Sequence, residues 1–156
     1  MKKIITGLTV LTGLVATTAF AKSVDPNPSV LRAFQTEFKQ ASNVEWQERP
    51  DFAKVHFNFN GSQVEAYYEF NGELIGTART ILFDQLPLAA LKAVENRFPR
   101  SAFHEVTEYS KGGELFYMLH VEQGSRKLTV KVLPSGDLSV EKKDQIVKVP
   151  YYNRNQ

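Results

Sequence analysis

The chain contains no cysteine among its 156 residues. No disulfide can brace the fold, and no thiolate is available as a nucleophile or as a soft metal ligand. Its three histidines, His56, His104 and His120, match no metal-binding spacing, and there is no HExxH pattern. No Gly-x-Ser-x-Gly elbow is present to activate a serine. Asn58-x-Asn60-Gly61 lacks the distal glutamate and the further ligands of a calcium loop. These absences leave no catalytic residue, no metal ligand and no cofactor to assign, and the expectation is a protein that is not an enzyme. A surplus of charge of one sign is also lacking. The 19 basic residues exceed the 17 acidic ones by two, and Lys2 and Lys3 account for that excess. Without them the balance is even, and no Lys/Arg stripe interleaves with aromatics, so nucleic acid is not an expected partner.

The longest apolar run is short. Lys2-Lys3 precedes Ile4 through Val15, and Ala19-Phe20-Ala21 supplies the small-x-small pattern of a signal-peptidase site. Residues 1–21 read as a secretory signal peptide, too short for a spanning helix of about 20 apolar residues. The expected mature chain begins at Lys22, with no stable membrane insertion after cleavage, and lies in the periplasm or is secreted.

What is present is a pattern used twice. In SVLRAFQTEFKQASNVEW, from Ser29 to Trp46, Val30, Leu31, Phe34, Phe38 and Ala41 fall on one side at helical spacing. The helix is expected to end near Ala41, with Ser29 or Asn27 as its cap. Val44 and Trp46 then share one face of a strand at residues 43–47. Trp46 is expected in the core, where its loss would cost about 3–5 kcal/mol. Ala53, Val55, Phe57 and Phe59 alternate with polar residues up to Asn60-Gly61, a strong two-residue hairpin signal. Val64, Ala66, Tyr68 and Phe70 make the next inward face, and Asn71-Gly72 turns the chain into 74–81.

From Leu86-Pro87 the order recurs. Leu88, Leu91, Val94 and Phe98 form the apolar face of a second helix, with Asp84 as candidate cap, and strands are expected at 103–110, 114–122, 127–133 and 138–142. A shift of 64 residues carries Val64, Ala66 and Tyr68 onto Leu128, Val130 and Val132, and Val55 and Phe57 onto Leu119 and Val121. Helix offsets are nearer 60, so any duplication carries insertions in its turns. The expected fold is α+β: two tandem helix-plus-antiparallel-meander repeats, α-β-β-β-β twice, at about 29–81 and 86–142, with helices packed on one face of the sheet. Residues 143–156 form a C-terminal tail whose strand character fades after Lys142. Whether the two repeats share one continuous sheet stays open.

Ala33-Phe34, Phe38, Ala41, Val44-x-Trp46, the strand ending in Asn60-Gly61, Tyr67-Tyr68, Phe70-Asn71-Gly72-Glu73 and the helix-opening Leu86-Pro87 together resemble the exported bacterial domains called beta-lactamase-inhibitor-like, PepSY-like proteins. The resemblance spans about residues 29–142 and rests on core aromatics, turn glycines and a helix-starting proline. It implies helices on one sheet face, an exported setting and a non-enzymatic role. It does not imply inhibition of a beta-lactamase, because architecture alone does not carry a target.

A sheet covered by helices on one face should be polar on the other. That other face is expected to carry His56, Asn58, Glu65, Tyr67, Glu69, Thr77 and Arg79 in the first unit, and Phe116, Met118, His120, Thr129 and Lys131 in the second. Phe116 and Met118 break the polar pattern. Tyr67, Arg79, Phe116, Met118 and His120 are therefore the candidate partner-binding residues, since aromatics, Met and Arg are enriched in interface centres. The expected function is an exported protein-binding or inhibitor-like module whose partner is another protein. The alternative is a periplasmic carrier holding a small molecule or peptide between the two repeats.

Overall fold

The computed structural model describes residues 26–145. The expected signal peptide and the tail from 146 onward lie outside the described residues. The chain runs α1 (Pro28–Glu37), β1 (Ser42–Glu48), β2 (Ala53–Phe59), β3 (Ser62–Tyr68) and β4 (Leu74–Ile81). One 3-10 turn (Phe83–Gln85) then leads into α2 (Leu88–Arg97), β5 (Ala102–Lys111), β6 (Glu114–Gln123), β7 (Arg126–Val132) and β8 (Leu138–Gln145). All eight strands form a single antiparallel sheet in the order β1 to β8. Pairing of β4 with β5, from Gly76–Lys111 to Ile81–Val106, joins the two halves. Among the described residues no helix is long and apolar enough to cross a membrane.

Local chemistry explains most of the element ends. Asn27 caps α1, its Oδ1 accepting from the Ser29 N–H at 2.9 Å, and Pro28 occupies the first turn, where a missing N–H costs nothing. The helix stops at Glu37 rather than near Ala41, because Phe38 leaves helical geometry while its N–H still donates to the Phe34 carbonyl. Asp84 does not cap α2. It sits inside the 3-10 turn, where Gln85 Oε1 instead accepts from the Leu82 N–H at 2.8 Å, and the residue at the α2 cap position is Pro87. Asn60 and Gly61 both have positive φ, as a type I′ hairpin requires. Gly72 and Gly136, at φ +96 and +97, hold the β3–β4 and β7–β8 turns against the helix starts. A Cβ there would meet the Ser29 carbonyl oxygen at 2.9 Å and that of Ala89 at 3.0 Å.

Both helices lie on one face of the sheet. Val30 and Phe34 of α1 pack on Ala53, Val55, Phe57, Ala66 and Tyr68. Ala90, Val94 and Phe98 pack on Val106, Tyr117, Leu119, Val121, Leu128, Val130 and Val132. Every inward position carried across by the 64-residue shift therefore faces a helix. Two apolar residues do not. Leu88 is 66% exposed, because the inward line of α2 runs Ala90, Val94 and on to Phe98 at its end, about one helical turn apart, and Leu88 lies off that line. Val44 is 38% exposed rather than paired with Trp46 in the core. Between Ser42 and Glu45 β1 carries an extra residue relative to β2, with Asn43 at φ 53, and the alternation breaks there. Trp46 is half-buried, its ring edge-on to Phe34 with centroids 5.2 Å apart.

Three more bulges follow the same layout. β5 has an extra residue between His104 and Thr107, with Glu105 at φ 51. β4 has one opposite Tyr67 and Tyr68, and β8 one opposite Thr129 and Val130. β8 also runs on to Gln145, three residues past its expected end.

Candidate functional site

The helix-free face is read from the strand registers, since directly paired residues share a face. One row across it runs Glu45, His56, Glu65, Ala78, Tyr109, Phe116. A second runs Lys54, Tyr67, Gly76, Lys111. A third joins Thr80, Thr107, Met118, Lys131, and a fourth His104, His120, Thr129. Tyr67, Phe116, Met118 and His120 thus all lie on this face.

Arg79 and Thr77 do not. Thr77 pairs with the buried Ala66, and Arg79 falls in the row Phe57, Val64, Arg79, Glu108, Tyr117, which contains core residues of both halves. The cause is the β4 bulge. Tyr68 pairs with Leu74 but Tyr67 with Gly76, so one extra residue reverses the alternation for the rest of the strand. On the helix side Arg79 Nε meets Glu108 Oε1 at 2.5 Å. The hydrogen bond that Arg79 donates to Glu108 raises the Arg79 pKa, against the pull of partial burial.

The helix-free face has an apolar part and a polar part. The apolar part is a recess of about 220 Å³ where β4 meets β5, toward the β5–β6 turn, with Gly76 in its floor and Phe52, Tyr67, Ile75, Tyr109 and Phe116 around it. Tyr109 stacks on Phe116 with centroids 5.2 Å apart and planes 12° apart, and Phe52 leans on Tyr67 at 5.8 Å. Lys131 Nζ sits 4.4 Å from the Phe116 ring centre and Lys54 Nζ 5.5 Å from that of Tyr67, within the reach of cation–π attraction. Gly76 is obligatory. A Cβ there would come 2.5 Å from the Ser110 carbonyl oxygen, so only glycine lets β4 and β5 pair at this point.

The polar part is a shallow groove of about 910 Å³ whose walls include Gln47, His56, Asn58, Gln63, Glu65 and Thr107. Glu65 is its hub, accepting from the Tyr67 hydroxyl and from Lys54 Nζ at 2.9 Å, with His56 Nδ1 3.2 Å from its other oxygen. Burial pushes the Glu65 carboxyl up, but the hydrogen bonds from Tyr67 and Lys54 and the charges of Lys54 and His56 outweigh it and hold the group below the ordinary carboxylate range. The Tyr67 phenol is driven the other way, by burial first and then by donation to Glu65. Further along β6, His120 Nδ1 lies 2.5 Å from Glu105 Oε2, a carboxylate brought there by the β5 bulge. Glu65, Tyr67, Lys54, His56 and His120 are each held by a neighbour. Among the described residues no group of three His, Asp or Glu is placed to hold a metal.

Tyr67, Phe116 and Tyr109 meet at the apolar recess, while Met118 and His120 extend the same face along β6. Tyr109 was absent from the sequence-derived set although a signal existed. A two-residue turn at Gly112-Gly113 dictates Lys111 opposite Glu114 and hence Tyr109 opposite Phe116. Phe52 follows the Arg49-Pro50-Asp51 turn and carries no periodicity to reveal it.

No protein-family model and no curated protein matches the sequence. Solved structures do match in fold. A BLIP-like protein from Bacteroides fragilis superposes with a TM-score of 0.69 at 17% identity, over 79% of this chain and 88% of that one. A candidate periplasmic protein from Bacteroides eggerthii gives 0.68 at 18% identity, over 83% and 94%. A DUF2874 family protein from Bacteroides ovatus gives 0.69 at 16% identity, over 82% and 93%. The described residues of this chain, an eight-stranded antiparallel sheet with two helices on one side, have the fold of these BLIP-like and DUF2874 proteins, with the helices on one sheet face as the sequence resemblance implied.

Proposed function

We propose that the chain is an exported, non-enzymatic protein-binding or inhibitor-like module, built as two tandem α-β-β-β-β units, that engages another protein with the helix-free face of its sheet. The observation that carries this reading is the aromatic recess of Tyr67, Tyr109 and Phe116 on a face where polar residues suffice for solubility. Aromatic side chains around a depression, with polar and charged groups beside them, have the composition of an interface centre with its rim. Met118 and His120 extend the surface, and Arg79, on the other face, is not part of it. The shared fold with a BLIP-like protein is consistent with a binding role. Lys2-Lys3, the apolar run and Ala19-Phe20-Ala21 support export. Matching bulges in β1 and β5 and in β4 and β8 support descent from one repeated unit.

Affinity capture from the native envelope fraction tests the proposal. Phe116→Asp combined with Tyr67→Ala should abolish retention of a protein that the wild type holds, and Leu88→Asp, on the exposed side of α2, should not. Thermal melts within a few degrees of wild type show that both variants fold. Undiminished capture by the double variant would remove the helix-free face as the site.

A further inference from the structure

We propose a second binding site, at the corner of the sheet beyond the C-terminal end of α2, for a small amphipathic anion: a carboxylate or phosphate head carried on an apolar body. Helix α2 spans 10 residues, about 15 Å, whereas the 10 residues of β6 span about 33 Å. The helix starts against the β7–β8 turn, with Ala89 beside Gly136, so the opposite end of β6, β7 and β8 extends past it. On the helix side the core positions Val121, Leu128 and Val140 give way there to Gln123, Arg126 and Lys143. Lys143 pairs directly with Leu128, which is 6% exposed, and so lies on the core side of the sheet. Arg97, Arg126 and Lys143 together with Phe98, Leu128 and Val140 line a recess of about 330 Å³, near the lower end of ligand-pocket sizes of ~300–1,000 Å³.

The first half of the chain shows what this corner lacks. Sixty-four residues earlier, Val64 pairs with Arg79 as Leu128 pairs with Lys143. Arg79 has its carboxylate, Glu108, on the neighbouring strand β5. Among the described residues β8 is the edge of the sheet, and no further strand lies beside it to supply one. Phe59 fills the first corner, with Phe38 packed on it at 5.4 Å, where the second has Gln123. Among the described residues, Arg97, Arg126 and Lys143 make no ion pair, and the nearby Asp144 is taken by Lys142 at 2.9 Å. The helix end contributes about half a negative charge, well short of three cations. Two guanidinium groups and an ammonium above an apolar floor suit a planar or tetrahedral anionic head with a hydrocarbon body beneath it.

Calorimetric titration of the full exported chain with monomeric decanoate and decyl phosphate, with decanol as the uncharged control, tests this site, and it does so independently of the sheet-face reading. Co-sedimentation with phosphatidylglycerol vesicles distinguishes a lipid headgroup from a free amphiphile as the source of the anion. At least one anionic probe should bind saturably, decanol at least ten-fold more weakly, and Arg126→Gln with Lys143→Gln should weaken anion binding at least ten-fold without shifting the melting temperature. Raised salt should weaken it as well. Equal affinity for decanoate and decanol, unchanged binding by the double variant, or no saturable binding to either amphiphile or to vesicles would overturn the proposal.

Discussion

Replacing Phe34 by alanine should cost the domain about 3–5 kcal/mol, the range for emptying a buried aromatic site. Phe34 is 4% exposed, and with Val30 it is one of only two fully buried side chains on α1. Its ring stands edge-on to Phe57 at 5.0 Å and to Trp46 at 5.2 Å and touches Phe38 at 5.6 Å. It is the point where helix, edge strand and second strand meet. A ten-residue helix is marginal in water without such an anchor, so the cavity cannot be closed by a rigid shift of α1 without losing Val30 as well. The 120 described residues correspond to an unfolding entropy of about 0.25 kcal/mol/K at the midpoint, so the expected fall in Tm is about 12–20 °C. Circular dichroism melts read this directly, and urea titration should show a lower midpoint at unchanged slope. The exposed Leu88→Ala, changed in parallel, should move Tm by no more than about 2 °C. A Phe34→Ala fall below about 6 °C would refute the assignment of α1 as a helix held by this one aromatic contact.

Trp46→Ala should cost less than the core estimate made from sequence, about 2 kcal/mol, because the half-buried ring contacts the core chiefly through Phe34; a loss equal to that of Phe34→Ala in the same melts would contradict the exposed outer side of β1. Gly136→Ala should destabilise by about 1–3 kcal/mol, since φ +97 is strained for any side chain and the new Cβ would press on the Ala89 carbonyl at 3.0 Å; unchanged urea unfolding would show that the turn relaxes freely. The folded-state pKa of Glu65 is held below its ordinary 4.5, so its contribution is complete above that value and is lost as pH falls through the folded pKa. The Tm gap between wild type and Glu65→Gln should therefore be widest near pH 7 and narrow below about pH 4.5; a gap independent of pH would mean that Glu65 is not the charged hub of the face.

The sequence alone determined what depends on contacts near in the chain. Helix faces follow from spacing, as with Val30 and Phe34. Hairpin registers follow from two-residue turns, as with Asn60-Gly61, and inward strand positions from strict alternation, as with Val55 and Phe57 opposite Val64 and Ala66. The placement of Tyr67 and Phe116 on one face was legible for the same reason. Tertiary structure decided what depends on counting across an irregularity or on pairing distant strands. One extra residue in β4 sends Arg79 to the helix side, and one in β1 exposes Val44, because a period-two pattern reverses completely when a single residue is inserted and no residue type announces the insertion. The joining of the two halves rests on β4 meeting β5 across the intervening helix. Without that pairing Glu108 has no Arg79, and the aromatic recess has no Gly76 floor between Tyr67 and Tyr109. These are contacts between residues tens of positions apart, brought together by the burial of two separate helix faces on one sheet rather than by any local preference of the chain.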